Sequence, residues 1–204
     1  MKLIAEGLTT VRGGRSLFAG LSFAVGAGEA LLVLGPNGSG KTTLIRTLAG
    51  LLGPAEGAIR VDGGVAERSV GEQCHYVGHL NAVKSSLTVE ENATFWCRFL
   101  GGQRDRLDAA LAVFGLAGLR DIPAGYLSAG QKRRLGLARL LLAVRPIWLL
   151  DEPTVSLDHA AQEALATVVG AHLAAGGLAI AATHVPLGLP NARELHLGGR
   201  AGTP

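Results

Sequence analysis

Short apolar runs alternate with longer stretches of helical periodicity along most of the chain. Apolar runs at 2–8, 20–25, 30–35, 58–62, 75–78, 147–151, 178–183 and 193–197 read as strands. Helical spacing is best over 41–51, 88–100, 104–116, 129–145 and 159–175. Runs such as LLVL (31–34), IWLL (147–150) and LAIAA (178–182) carry no polar alternation, the pattern of strands covered on both faces. Strands alternating with helices predict an α/β domain, a mostly parallel sheet with helices on both sides. Early in the chain several strands lie close together with few helices between them, so an antiparallel β subdomain is expected there. Residues 85–128 hold no strong strand pattern, and GGQRDR (101–106) separates two helical patterns. The expected organisation is a single domain over 1–204 with a helical subdomain at about 85–130.

The stretch 164–192 contains no Asp, Glu, Lys or Arg and is long enough to cross a bilayer. However, His172, Gly176, Gly177, His184, Pro186 and Pro190 interrupt it. A helix, a Gly-Gly turn and a buried strand fit it better than a span. The N-terminus MKLIAEGLTTVRGG lacks a long apolar stretch and a small-residue cleavage site, so no signal peptide is read. Cys74 and Cys97 form neither a disulfide framework nor a metal-ligand pair, and are expected to be reduced core thiols. Composition narrows the function classes. With 48% hydrophobic residues the chain is not a disordered polyelectrolyte, and a net charge of +3 is too small to argue for nucleic acid as a partner.

Chemistry concentrates at strand ends. Ala30–Leu34 runs into Gly35-Pro36-Asn37-Gly38-Ser39-Gly40-Lys41-Thr42, with a helical pattern after it. This is the Gly-x4-Gly-Lys-Thr phosphate loop in its strand–loop–helix setting. Its glycines let backbone N–H groups turn inward around a phosphate, at a helix start whose free N–H groups favour anions. Lys41 can reach the β- and γ-phosphates, and the Thr42 hydroxyl can meet Mg2+. Ile147–Leu150 ends in Asp151-Glu152-Pro153. A carboxylate beyond the carboxyl end of a parallel strand lies where ligands sit in such sheets. Asp151 is thus placed to hold Mg2+, and Glu152 to orient or deprotonate a water for attack on the γ-phosphate. Ser128 followed by Gln131 is a capping-box pattern, so the helix beginning at Ala129 presents a second phosphate cradle. One nucleotide does not need two cradles from one chain, and a symmetric pair in which each copy completes the other's site resolves this.

With these residues in hand, the chain resembles the ATP-binding subunits of ABC transporters over nearly its whole length. Gly35–Thr42 match that family's Walker A motif, Leu127–Gln131 its signature and Leu149–Glu152 its Walker B. Ser156-Leu157-Asp158 look like its D-loop, and His184 like its switch histidine. The resemblance implies a P-loop NTPase core, ATP and Mg2+, and two copies sandwiching two nucleotides. It implies nucleotide contacts from Thr43 in addition to the loop, and from Ser128, Ala129, Gly130, Gln131 and Asp158 across the pair. His184 would stand by the γ-phosphate beside Glu152. Asp158 also suits a cap for the helix starting near 159.

Three positions depart from the family pattern. Ala129 stands in the signature where a glycine is usual. Arg12 stands where an aromatic usually stacks on adenine; it either stacks as a planar cation, leaves adenine loosely held, or is a solvated loop residue. His79 occupies the place of the Q-loop glutamine, near Mg2+ or water, and with it a different response to pH. The segment 78–96, the short chain and the compact signature LSAGQKRRLGLARL further resemble the ATP-binding subunits of haem exporters in bacterial cytochrome c maturation. That resemblance implies a separate polytopic membrane subunit, other cytochrome c maturation components, and a peripheral place on the cytoplasmic side of the inner membrane. Val89, Phe95, Trp96 and Phe99 either receive a short helix of that subunit or form the helical subdomain's own core. The rival readings are an ABC ATPase serving another small molecule or a lipid, and a nucleotide switch without transport.

Overall fold

In a computed structural model of the chain, which describes residues 1–184, 187–189 and 191–198, the first two apolar runs belong to one long hairpin. Strands β1 (Lys2–Arg12) and β2 (Arg15–Gly26) pair antiparallel around Gly13 and Gly14, at φ 54° and 74°. Positive φ at both central positions suits glycine and matches the twist of the strands it joins. Thr9, Thr10, Arg12, Arg15 and Ser16 break the apolar pattern, so the sequence marks only part of each strand although the backbone pairing runs on. Strand β4 (Glu56–Asp62) adds to the other edge of β1, giving the expected antiparallel sheet in the order β2-β1-β4.

The second sheet is parallel and five-stranded, in the order β5-β6-β7-β3-β8. It is built from β3 (Ala30–Leu34), β5 (Cys74–Val77), β6 (Ile147–Asp151), β7 (Leu178–Ala182) and β8 (Arg193–His196). Its side chains divide strictly by face. Ile147 and Leu149 join Leu31, Val33 and Ile180 in a core closed by helix α1 (Lys41–Leu48) and by Leu3, Leu8 and Val25 of the antiparallel sheet. Trp148 and Leu150 join Ala179 and Ala181 against helices α4 (Ala129–Leu142) and α5 (His159–Ala174). Covering on both faces is the physical reason these strands lack polar alternation.

Helices α2 (Val89–Phe99) and α3 (Arg106–Val113) pack on α4 and extend the second core. Thr88 caps α2 in a reciprocal box with Glu91, which satisfies two N–H groups at the helix start. The uncharged stretch resolves into most of α5, a turn through Gly176 and Gly177, and β7. Among the described residues no helix is long and apolar enough to cross a membrane; Pro186 and Pro190 lie outside those residues. Cys74 and Cys97 are buried free thiols, and burial pushes the Cys74 thiol up to about 11.

Two histidines pack against Trp148 of the second core, His75 buried and His172 half-buried. His172 lies flat on Trp148 with centroids 3.9 Å apart, and His75 meets the same ring edge-on at 6.3 Å. The His75 Nε2 is 2.8 Å from the Ala143 carbonyl oxygen, so the neutral ring donates there. Burial pushes the His75 pKa down from 6.5 to about 4, helped by Arg145, Arg139 and His172 and opposed by that carbonyl. The His172 pKa is also lowered, again by burial. Below pH 6.5 the unfolded chain takes up a proton that the folded state refuses, so stability is full above that pH and falls toward pH 4. The His75 share amounts to about 3 kcal/mol. Urea midpoints should therefore drop between pH 7.5 and 5, with a flatter profile in His75→Gln. Equal midpoints at both pH values would rule this out.

Candidate active site

The site forms where β3, β6 and β7 end side by side. After Leu34 the chain enters its loop with Gly35, Gly38 and Gly40 at φ 145°, 81° and 99°, conformations that side chains resist. A β-carbon on Gly35 would run into the Leu197 carbonyl. One on Gly40 would lie 3.1 Å from the Leu17 β-carbon. Leu17 and Phe18 of β2 thus close directly on the loop, which brings the β1–β2 hairpin alongside it. Helix α1 starts at Lys41 behind Gly40, which offers no side-chain cap, so its first N–H groups have no capping side chain. Lys41 is only 7% exposed, and its ammonium donates to the carbonyls of Gly35 (2.7 Å) and Pro36 (3.1 Å). Thr43 is buried in the same turn, and the Ser39 hydroxyl is buried with no partner.

The Thr42 hydroxyl donates to Asp151 Oδ1 at 2.9 Å. Asp151 is fully buried, and its Oδ2 has no donor. An unpaired buried carboxylate oxygen is costly unless something positive meets it. A hydroxyl beside one carboxylate, completed by water and phosphate oxygens, is the donor set Mg2+ prefers. Among the described residues no three His, Cys, Asp or Glu cluster into an all-protein metal cage. The residues present therefore fit Mg2+ shared with a phosphate.

Glu152 follows directly, at φ 48°, with its N–H donating to the Ala182 carbonyl at 2.8 Å. That left-handed turn carries the side chain out of the strand toward β7. Its Oε1 lies 3.2 Å from the Nε2 of His184, two residues past the end of β7. The two candidate catalytic side chains are thus neighbours although a helix and a strand separate them in sequence.

At the start of α4, Ser128 Oγ accepts from the Gln131 N–H at 3.2 Å, and Gln131 Oε1 accepts from the Ser128 N–H at 2.8 Å. The expected capping box is therefore formed. Ser128 and Ala129 are exposed, and a β-carbon on Gly130 would lie 2.8 Å from the Ser156 carbonyl, so glycine is needed where this turn packs on Ser156. Ala129 meets no such crowding: a side chain fits at this exposed first position of the helix. Asp158 Oδ1 accepts from the Ala161 N–H at 2.9 Å and caps α5.

Two expected site residues make no hydrogen bond to the phosphate loop or to the Glu152–His184 pair among the described residues. Arg12 is exposed at the end of β1, paired across the hairpin with Arg15. His79 is exposed and lines a cleft with Arg46, Tyr76, Leu80 and Trp96; among the described residues no hydrogen bond ties it to Thr42 or Asp151. One residue escaped sequence reasoning altogether. Arg133, in the run KRR, is assigned no role from the sequence, yet it is buried behind Glu152. Only its place within one turn of the leucines of the same helix, Leu135 and Leu137, hinted at this.

A parallel sheet with a glycine phosphate loop, a buried carboxylate and an adjacent Glu–His pair defines a P-loop nucleoside-triphosphatase. The sequence model described as ABC transporter matches residues 18–155. The Cytochrome c biogenesis ATP-binding export protein CcmA of Rhodopseudomonas palustris strain BisB5 is 55% identical over 201 residues, 98% of this chain and 100% of that protein. The proteins of the same name from Bradyrhizobium diazoefficiens and Rhizobium meliloti are 55% and 52% identical, each over 98% of this chain. Among solved structures, a putative ABC transporter ATP-binding protein from Pyrococcus furiosus superposes with a TM-score of 0.83 at 25% identity, covering 97% of this chain and 98% of that one. A bacterial Atm1-family ABC exporter with ATP bound gives 0.82 at 26% identity, over 96% of this chain and 36% of that one. The chain belongs to the ABC transporter family of ATP-binding, ATP-hydrolysing subunits, and within it to the group of cytochrome c biogenesis ATP-binding export proteins. Membership implies a membrane-embedded partner subunit and pairing of ATP-binding domains.

Proposed function

We propose that two copies of this chain close on two ATP molecules and power a haem-handling membrane subunit of c-type cytochrome assembly. They do so from the cytoplasmic face of a bacterial inner membrane. The observation that carries this is the exposed start of α4 at Ser128 and Ala129, shaped by the Ser128–Gln131 capping box with Gly130 half-buried beside it, in the same chain as the loop–Glu152–His184 site. A cradle left open on one copy suits the γ-phosphate held by the other.

Residues Gly35, Pro36, Asn37, Gly38, Ser39 and Gly40 wrap the phosphates with backbone N–H groups, and Thr43 lines the same turn. Lys41 leaves the carbonyls of Gly35 and Pro36 and turns its charge to the β- and γ-phosphates. Thr42 and Asp151 would hold Mg2+, which neutralises phosphate charge when bound. Glu152 accepts the proton of the attacking water, and His184, 3.2 Å away, holds that carboxylate in place and reaches the γ-phosphate. Ser128, Ala129, Gly130 and Gln131 of the second copy cover that phosphate, and Asp158 flanks the contact between copies. Loss of the γ-phosphate removes those contacts and the pair reopens. Arg12 flanks adenine from the hairpin tip, and His79 stands at the edge of the site.

A cleft of about 610 Å3, lined by Leu80, Trp96 and Phe99 among others, offers the membrane subunit an apolar seat. Val89 belongs to the core, whereas Phe95 and Phe99 are 54% and 69% exposed on the same helix. The exposed pair is therefore the part of α2 available to a partner. Deleting the gene should abolish haem attachment to c-type cytochromes, visible as lost haem-staining bands, and the intact gene should restore them. Unchanged c-type cytochromes would remove the haem assignment while leaving the ATPase standing.

A further inference from the structure

Arg133 sits just inside α4 and is 3% exposed. A guanidinium carries five N–H donors, and here all of them are used. Nε donates to the Pro153 carbonyl at 3.1 Å, and Nη2 to the carbonyls of Asp151 (3.1 Å) and Glu152 (2.7 Å). Nη1 reaches the other way, to the Gly78 carbonyl at 2.8 Å and Asn81 Oδ1 at 3.1 Å. One side chain therefore gathers three consecutive carbonyls at the end of β6 and clips them to the segment leaving β5. Gly136 lets the same helix approach that segment, since a β-carbon there would stand 3.1 Å from the Asn81 carbonyl.

None of the five acceptors is a carboxylate oxygen. Burying a cation against neutral acceptors alone is a poor way to stabilise a fold, where an apolar side chain of similar volume does as well or better. What the arrangement does provide is direction. Three successive carbonyls can converge on one point only if the backbone turns sharply, and the turn is the left-handed residue Glu152 at φ 48°. A non-glycine residue held there is strained, so it needs its surroundings to fix it. The bonds to Asp151, Glu152 and Pro153 do this. Those to Gly78 and Asn81 link the same turn to residues 78–82, of which Gly78, His79, Leu80 and Ala82 line the apolar cleft.

We propose that Arg133 is a positioning residue that locks the Glu152 turn, keeping its carboxylate against His184, and that ties this turn to the cleft-lining segment through Gly78 and Asn81. A shift of the segment at the cleft then moves the group that acts on water. The inference rests on the reading of Glu152 given above.

The test uses the chain assembled with its membrane subunit, measuring hydrolysis and KM for ATP. Arg133→Met should keep KM within about threefold and lower kcat about 30-fold, a loss confined to the reacting complex. Arg133→Lys, which restores some donors, should recover about fivefold of it. Asn81→Ala should lower kcat about threefold in the wild-type background and not at all in Arg133→Met, because the shared contact is already absent. A folded Arg133→Met enzyme with near wild-type kcat overturns the proposal. So does a loss fully explained by a smaller active fraction, or additive effects of the two substitutions. Should Arg133→Met not fold, unchanged kcat in Asn81→Ala overturns it instead. Glu152→Gln, run alongside, separates the two ideas. An inactive Glu152→Gln beside an active Arg133→Met defeats only the positioning role, and an active Glu152→Gln defeats the reading beneath it.

Discussion

Glu152→Gln is expected to bind ATP as the wild type does and to hydrolyse it about 100- to 10,000-fold more slowly, the span of general-base contributions. Glutamine matches the carboxylate in size and still offers an oxygen toward His184, 3.2 Å away in the native site. It lacks the basicity to take a proton from water. Nothing in the phosphate loop is touched: the Lys41 bonds, the Gly35–Gly40 turn and the Thr42–Asp151 contact lie on other side chains. Because the γ-phosphate then persists, the closed pair of copies should accumulate, which size-exclusion chromatography or crosslinking with ATP would register. Near-normal turnover in this variant would remove Glu152 from the chemistry. Turnover lost together with ATP binding would make it a structural residue instead.

Lys41→Ala is expected to weaken nucleotide binding itself. The Lys41 ammonium is nearly enclosed by the loop, and its two present partners are the loop's own carbonyls. With a triphosphate in place the same charge would face phosphate oxygens in a partly desolvated pocket. Truncating one member of a buried charged pair costs about 2–5 kcal/mol, which is roughly 30- to several-thousand-fold in Kd. Equilibrium binding of a fluorescent ATP analogue measures this directly. The variant should also fail to restore c-type cytochromes in a deletion strain. The fold should survive, because Lys41 lies at a helix start and the α1 core contacts come from Leu44, Ile45 and Leu48. ATP affinity within a fewfold of wild type would contradict the assignment of this loop as the triphosphate cradle.

The site was legible in unequal parts. The phosphate loop, the strand-end carboxylates and the two helix caps are local devices. Each needs only a few neighbouring residues in the right order, so their chemistry survives in a linear reading. The formed capping box at Ser128–Gln131 and the cap at Asp158 illustrate this. Strand limits were less clear. Backbone pairing carries β1 through Arg12, where side chains turn polar and the apolar pattern ends. The aromatic run on α2 split for a similar reason. Helical spacing alone does not say which side of a helix meets a partner, and the packing buried Val89 while leaving Phe95 and Phe99 outside.

By itself, the order of residues determined the αβ alternation, the glycine-rich loop at the end of β3 and the acids at the end of β6. These depend on short-range periodicity and on turn chemistry. Only the tertiary structure decided which distant groups share a point in space. It set Thr42 on Asp151, His184 on Glu152, and the five donors of Arg133 on two separate segments. The reason is that strand order in the sheet, β5-β6-β7-β3-β8, differs from order along the chain. Neighbours across such a sheet are chosen by burial of both its faces, and burial is a property of the folded whole.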